Sequence, residues 1–226
     1  METTKCTDCH IFKSAQSNII DCDFEKLKEA STNVKYKKNE IIFKENALST
    51  NVIFLRKGII KTHRMGPRWE QILSIIKAPT YIGLPTTFGD KVNHYSATSL
   101  IETDVCFINI DIFKTLITQN GAFSYELIID LAQKELVHFE RCMNRTQKNL
   151  TGRMGDFLIS LSENIFENNT FEIPLTRAEI GNYVDTSRES VSRTLSDFNN
   201  DKIIDINGRK IKILDKKRLH AISKNG

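Results

Sequence analysis

Between Ala122 and Leu150, the positions Ala122, Tyr125, Ile129, Ala132, Leu136, Phe139, Met143, Thr146 and Leu150 fall at alternating spacings of three and four. This is an a/d seam of about four heptads, and it predicts one long helix. Its flanks are polar, with Asp130, Gln133, Lys134, Glu140, Arg141 and Lys148. A long helix with a single narrow apolar stripe needs a partner, and self-association through the seam is favoured over an intramolecular core. The seam also divides the chain, because neither flank continues its period.

Ahead of it, from Val34 to about Ile110, short runs such as "NEIIFKENA", "TNVIFLRKGIIKTHR", "EQILSIIKAPTYIGL", "YSATSLIETD" and "VCFINI" are separated by Gly, Asn, Asp or Pro. Strands at this spacing predict an antiparallel barrel or jelly roll, the form of a sensor or ligand-holding shell. Gly58 and Gly83 sit at strand ends, and Asn39 and Asn46 occupy turns where Asn tolerates a left-handed backbone.

Behind the seam the pattern is helical again. Met154, Phe157, Leu158 and Leu161 recur at helical spacing, and "NNTFEIPL" supplies turn and strand residues that end that helix. Thr176 and Glu179 then form a Ser/Thr-x-x-Glu capping box, and Thr186 with Glu189 form a second. Two capped helices separated by "VDTS" are the sequence form of a helix-turn-helix. In the second helix, Ser187 to about Asn199, Val191, Leu195 and Phe198 share one stripe and should pack inward. Arg188, Glu189, Ser192 and Arg193 lie opposite, offering two guanidinium forks, a carboxylate and a hydroxyl near a helix N-terminus, where base edges are read. Thr176, Arg177, Thr186 and Ser187, at the two helix starts, complete the candidate DNA-contact set. "DKIIDINGRKIKILD" follows as a hairpin, with Asn207-Gly208 as a type I′ turn, so the whole reads as a winged helix. A formal charge of +4 does not by itself indicate nucleic acid, but Arg209, Lys210, Lys212, Lys216, Lys217, Arg218 and Lys224 crowd the last twenty residues.

The fold class expected is α+β, in four parts: a cysteine segment at 1–22, a β-roll sensor at 23–120, a dimerisation helix at 121–150 and a winged helix-turn-helix at 151–226. The N-terminal stretch lacks a basic start followed by an unbroken apolar run, and no segment approaches the roughly 18 apolar residues needed to span a bilayer. The expected location is the cytoplasm, with no membrane partner.

In this arrangement the chain resembles the Crp/Fnr family of bacterial transcription regulators, most specifically in "LTRAEIGNYVDTSRESVSRTLSDFNNDKII". Asp185 departs from the glycine usual in the family's turn. The resemblance implies a cyclic-nucleotide-binding-like β-roll and a homodimer that binds a two-fold symmetric operator on double-stranded DNA and recruits or blocks RNA polymerase. It assigns Glu189 and Arg193 to a G·A core in each half-site. Ser192 matches the oxygen-sensing Fnr branch and Arg188 the cyclic AMP receptor branch, so the half-site is TTGAT-like or TGTGA-like. Cyclic nucleotide binders of this fold keep a Gly-Glu pair and an Arg-Ser/Thr pair around the cyclic phosphate. Here Tyr95-Ser96 stands where the second pair falls, and a buried phosphate without a guanidinium lacks its charge-assisted bonds, so cyclic AMP is not the expected effector.

The segment "KCTDCH" leaves several chemistries open. Cys6 and Cys9 have the Cys-x-x-Cys-His spacing of c-type haem attachment, but that chemistry follows export and no export signal is present. In the Fnr branch three N-terminal cysteines and one from the β-roll hold a [4Fe-4S] cluster. Cys6, Cys9 and Cys106 match that set, and the remaining ligand has to be Cys22 or His10. Zinc or direct thiol redox accepts the same residues, and so does a metal-free reading in which Cys106 is a small buried core residue. The signal implied is oxygen, nitric oxide or redox state. The alternatives are a small-molecule effector in the β-roll, or a cyclic-nucleotide-binding-like regulatory module of an enzyme. No Ser-His-Asp set, metalloprotease spacing or βαβ context around Cys6 is present, so enzymatic activity is not expected. Cys142 is read as structural, and His63, His94, His138 and His220 are given no ligand role.

Overall fold

The computed structural model describes residues 31–226. Cys6, Cys9, Cys22 and His10 lie outside them. The described residues form two compact units: those up to Ile60 with Lys77–Leu136, and Lys61–Ile76 with Val137–Gly226.

Among the described residues, eight strands precede the long helix: β1 (Ser31–Tyr36), β2 (Ile41–Phe43), β3 (Asn51–Lys57), β4 (Ile59–Met65), β5 (Glu70–Lys77), β6 (Thr80–Ile82), β7 (Ser96–Ser99) and β8 (Thr103–Asn109). They form sheets of order β1-β8-β3-β6 and β2-β7-β4-β5, the antiparallel roll expected. The run "EQILSIIKAPTYIGL" divides into β5, β6 and the start of a short helix, α1 (Leu84–Phe88), because Pro79 interrupts the ladder. In β3, Val52, Ile53, Phe54 and Leu55 are all buried, so this strand is covered on both faces. Val52 and Phe54 share a core cluster with Cys106, Ile108 and Leu84, and with Phe113, Leu116 and Phe123 of the helices that follow the roll.

Those helices are α2 (Ile110–Gln119) and α3 (Gly121–Gln147). Asn109 caps α2 by accepting from the Asp111 and Ile112 amides. The seam helix ends three residues short of Leu150. Asn149 accepts from the Gly152 amide and starts a new helix there, α4 (Leu150–Ser160), which continues as a π turn over Leu161–Ile165. On α3, Phe123 is buried and Leu127 and Leu131 pack on the roll's core. The seam itself is largely bare: Tyr125, Leu136, Phe139 and Met143 are between 52% and 65% exposed, and Ile129 is half-buried.

The rest of the second unit is β9 (Thr170–Glu172), α5 (Arg177–Val184), α6 (Arg188–Asn200), β10 (Ile204–Asn207), β11 (Lys210–Ile213) and α7 (Lys216–Asn225). Its sheet has the order β10-β11-β9, and Met154, Phe157, Leu158, Ile180, Val191, Leu195, Phe198 and Leu219 fill its core.

Asn39 and Asn46 do take left-handed backbone, with φ of 69° and 63°. Gly58 is more tightly constrained: at φ 108° a Cβ would stand 2.5 Å from Thr103 Oγ1 and 2.8 Å from Thr103 Cα. Gly58→Ala is therefore expected to lower stability by roughly 2–3 kcal/mol, measured by urea unfolding of the full chain.

Candidate nucleic-acid interface

The helix pair α5–α6 is built by local chemistry. At the start of α5 the Thr176 hydroxyl accepts from the Glu179 amide (3.2 Å) while the Glu179 carboxylate accepts from the Thr176 amide (2.8 Å), a complete capping box. The second box does not form. Ser187 rather than Thr186 caps α6, its hydroxyl taking the Ser190 amide at 3.2 Å, and the Thr186 amide, which a box would give to Glu189, goes to the Gly181 carbonyl (3.0 Å). That bond also explains Gly181, where a Cβ would meet the Thr186 oxygen at 2.5 Å. Glu189 stays near the helix start, its carboxyl held below the usual value by its own amide and the Ser187 hydroxyl.

Val191, Leu195 and Phe198 of α6 are buried, and Arg188, Glu189, Ser192 and Arg193 are exposed on the opposite side. Thr176 and Ser187 are exposed; Arg177 and Thr186 are half-buried. Arg177 donates to the Gly208 carbonyl (3.2 Å) and so ties α5 to the wing turn. That turn is displaced by one residue from the expected one. Asn207 pairs with Lys210, so Gly208 and Arg209 are its central residues, and of the two only Gly208 has positive φ, the pattern of a type II′ turn rather than I′.

The β4–β5 hairpin contributes contacts to the same unit that the sequence does not announce. Lys61 Nζ lies 3.0 Å from Glu70 and 2.9 Å from Glu179, His63 Nδ1 lies 2.8 Å from Glu70, and Gln71 donates to the Asn182 carbonyl. Lys61 and Glu179 are 118 positions apart, and no spacing rule links them. Burial lowers the Lys61 pKa, yet the two carboxylates outweigh it and the net shift is upward. For Glu179 burial acts to raise the value, but the Thr176 donors and Lys61 prevail and hold it below the usual carboxylate range.

In the β-roll, the stretch that would hold a cyclic phosphate is occupied by its own packing. Leu84 follows Gly83 and is core, the Tyr95 ring lies 5.7 Å from that of Phe43, and Ser96 Oγ accepts from the Glu45 amide (2.9 Å). Burial raises the Tyr95 pKa, against a bond from the Gly83 amide to its hydroxyl oxygen. Cys106, the one candidate iron ligand among the described residues, is 5% exposed within the apolar cluster on β3 and β8. Among the described residues no three His, Cys, Asp or Glu side chains stand close enough to hold a metal ion. These residues do not make an iron–sulfur site on their own.

Glu179→Gln should flatten the acid limb of stability. Because the folded pKa lies below the ordinary 4.5, the stabilisation from Glu179 is complete above that value and is lost as pH falls through the depressed one. Urea midpoints at neutral pH and in acid, well below the ordinary carboxyl value, should converge more in the variant than in the parent.

Two family descriptions match the chain: a cyclic nucleotide-binding domain over residues 33–120 and a Crp-like helix-turn-helix domain over residues 152–222. The fumarate and nitrate reduction regulatory protein of Vibrio cholerae is 25% identical over 96% of this chain and 90% of its own length. The transcriptional activator Anr of Pseudomonas protegens is 25% identical over 83% of this chain and 78% of its own length. Among solved structures, FixK2 from Bradyrhizobium japonicum superposes with a TM-score of 0.75 at 22% identity, over 85% of this chain and 96% of that one. With a roll of the cyclic-nucleotide-binding kind, a long helix and a Crp-like helix-turn-helix in that order, the chain is a transcription regulator of the Crp/Fnr family.

Proposed function

We propose that the chain acts in the cytoplasm as a homodimer that binds a two-fold symmetric operator through α6 and alters RNA polymerase recruitment at the adjacent promoter. The observation that carries this reading is the division of α6 into a buried Val191/Leu195/Phe198 stripe and an opposite face bearing Arg188, Glu189, Ser192 and Arg193. An arginine reaches guanine O6 and N7 together in the major groove, and a carboxylate accepts from cytosine N4. Thr176, Arg177, Thr186 and Ser187, at the starts of α5 and α6, are suited to phosphate contacts that fix the register. The exposed seam of α3 supports the dimer, since two copies packed along Tyr125, Leu136, Phe139 and Met143 would cover it.

The signal proposed is oxygen, nitric oxide or redox state. It is supported by the Anr and fumarate–nitrate regulator names of the relatives and by the cysteines. Cys6, Cys9 and Cys22, with Cys106, are the residues a [4Fe-4S] cluster would use, and such a cluster supplies oxygen-labile redox chemistry. Cyclic AMP is disfavoured because Leu84 and Tyr95 offer no carboxylate or guanidinium where the phosphate and ribose would need them.

Selection of a duplex from a random-sequence pool by the anaerobically purified protein tests the main reading, and should return a palindrome with TTGAT-like or TGTGA-like halves. On that duplex Arg193→Ala should cost roughly 1–3 kcal/mol and relax preference at one guanine. Equal weakening on every sequence would refute that assignment. Leu136→Asp should convert the sedimenting species from dimer to monomer and reduce operator affinity with it, by about tenfold or more. Iron and acid-labile sulfide that disappear in air would support the proposed signal, and their absence from anaerobic protein would remove the cluster.

A further inference from the structure

The last turn of α5 and the residue after it are gripped by three arginines of the same unit. Arg141, near the end of α3, lies over the Tyr183 ring at 4.3 Å. Arg145, one helical turn later, donates from Nη2 to Asp185 Oδ1 at 3.1 Å. Its Nε also lies 2.7 Å from Oδ2, an ion-pair contact with the N–H turned off the hydrogen-bond line. Arg153, on α4, donates to the carbonyls of Val184 (2.8 Å) and Asp185 (3.4 Å). Cations at a helix C-terminus meet its unsatisfied carbonyls and the negative end of its dipole, so all three favour this placement of α5.

Asp185 is the unusual member. It holds the turn between α5 and α6 at φ 59°, ψ 58°, a left-handed conformation that glycine adopts at no cost and aspartate only tolerates. In local terms glycine is the better residue, and what aspartate adds is a carboxylate that reaches the end of the long helix.

We propose that Asp185 is a positioning residue: its pairing with Arg145 fixes the α5–α6 turn to the C-terminal turn of α3 and thereby sets the pose in which α6 reads DNA. This rests on the reading of α6 as the recognition helix. The pair is about one-third exposed on each side and adds little to folding, so its contribution lies in orientation.

The test uses the full-length protein and two fluorescent duplexes at one salt concentration: the duplex selected by the parent, and a scrambled duplex of the same composition. Asp185→Gly and Asp185→Asn should each weaken binding to the selected duplex about tenfold, leave the scrambled duplex unchanged, and keep the thermal midpoint at or above that of the parent for glycine. Arg145→Ala should match them, and Arg145→Ala combined with Asp185→Gly should be no weaker than either alone. Parental affinity in Asp185→Gly, additive losses in the double variant, or equal losses on both duplexes would each overturn the proposal. A parent protein that selects no duplex would instead remove the recognition-helix reading on which it stands.

Discussion

Burial of the Val191, Leu195 and Phe198 stripe is the constraint on which the DNA-binding unit depends. A thirteen-residue helix has too little intrinsic stability to stand alone in water, so α6 exists because this stripe packs into the unit's core. The same packing leaves the opposite side, with its two arginines and one glutamate, facing solvent on a rigid support. Presentation of that polar face is thus a by-product of core formation, and the Gly181–Thr186 approach fixes how closely the two helices cross.

What was legible in the sequence follows the range of the interaction. Periods of two, 3.5 and 3.6 are properties of neighbouring residues, and they located the roll, the seam and the α6 stripe. The Thr176–Glu179 box spans three positions and was read in full. Errors of one residue arose where two local solutions compete: Ser187 stands as cap while the Thr186 amide closes the end of α5 on Gly181, and the wing turn closes on Gly208-Arg209 because the Asn207–Lys210 pair extends the ladder. The break at Asn149 was missed for the same reason, since an Asn side chain that caps a new helix also fits the polar flank beside the seam.

Contacts between distant segments left no such trace. Lys61, Gln71, Arg141, Arg145 and Arg153 look like ordinary solvated polar residues in sequence, yet each holds part of α5 or its turn in the folded unit. Asp185 alone gave a signal, by occupying a position where glycine would be easier, and its partner Arg145 stands 40 positions away in the chain.

The β-roll shows how much of an architecture apolar packing and turns can carry. Its strands pair, left-handed backbone falls at Asn39, Asn46, Gly58 and Gly83 among other positions, and its core closes around Phe54 and Phe113. Leu84 enters that core, and Tyr95 packs against Phe43. Architecture here is carried by apolar pairing and turn geometry, which many side chains satisfy, whereas ligand chemistry depends on a few charged groups that substitution at two or three positions removes. A shared roll is therefore weak evidence for a shared effector. The helix pair is a stronger guide, because in α6 the residues that make the fold and the exposed polar ones, such as Val191 and Ser192, stand side by side.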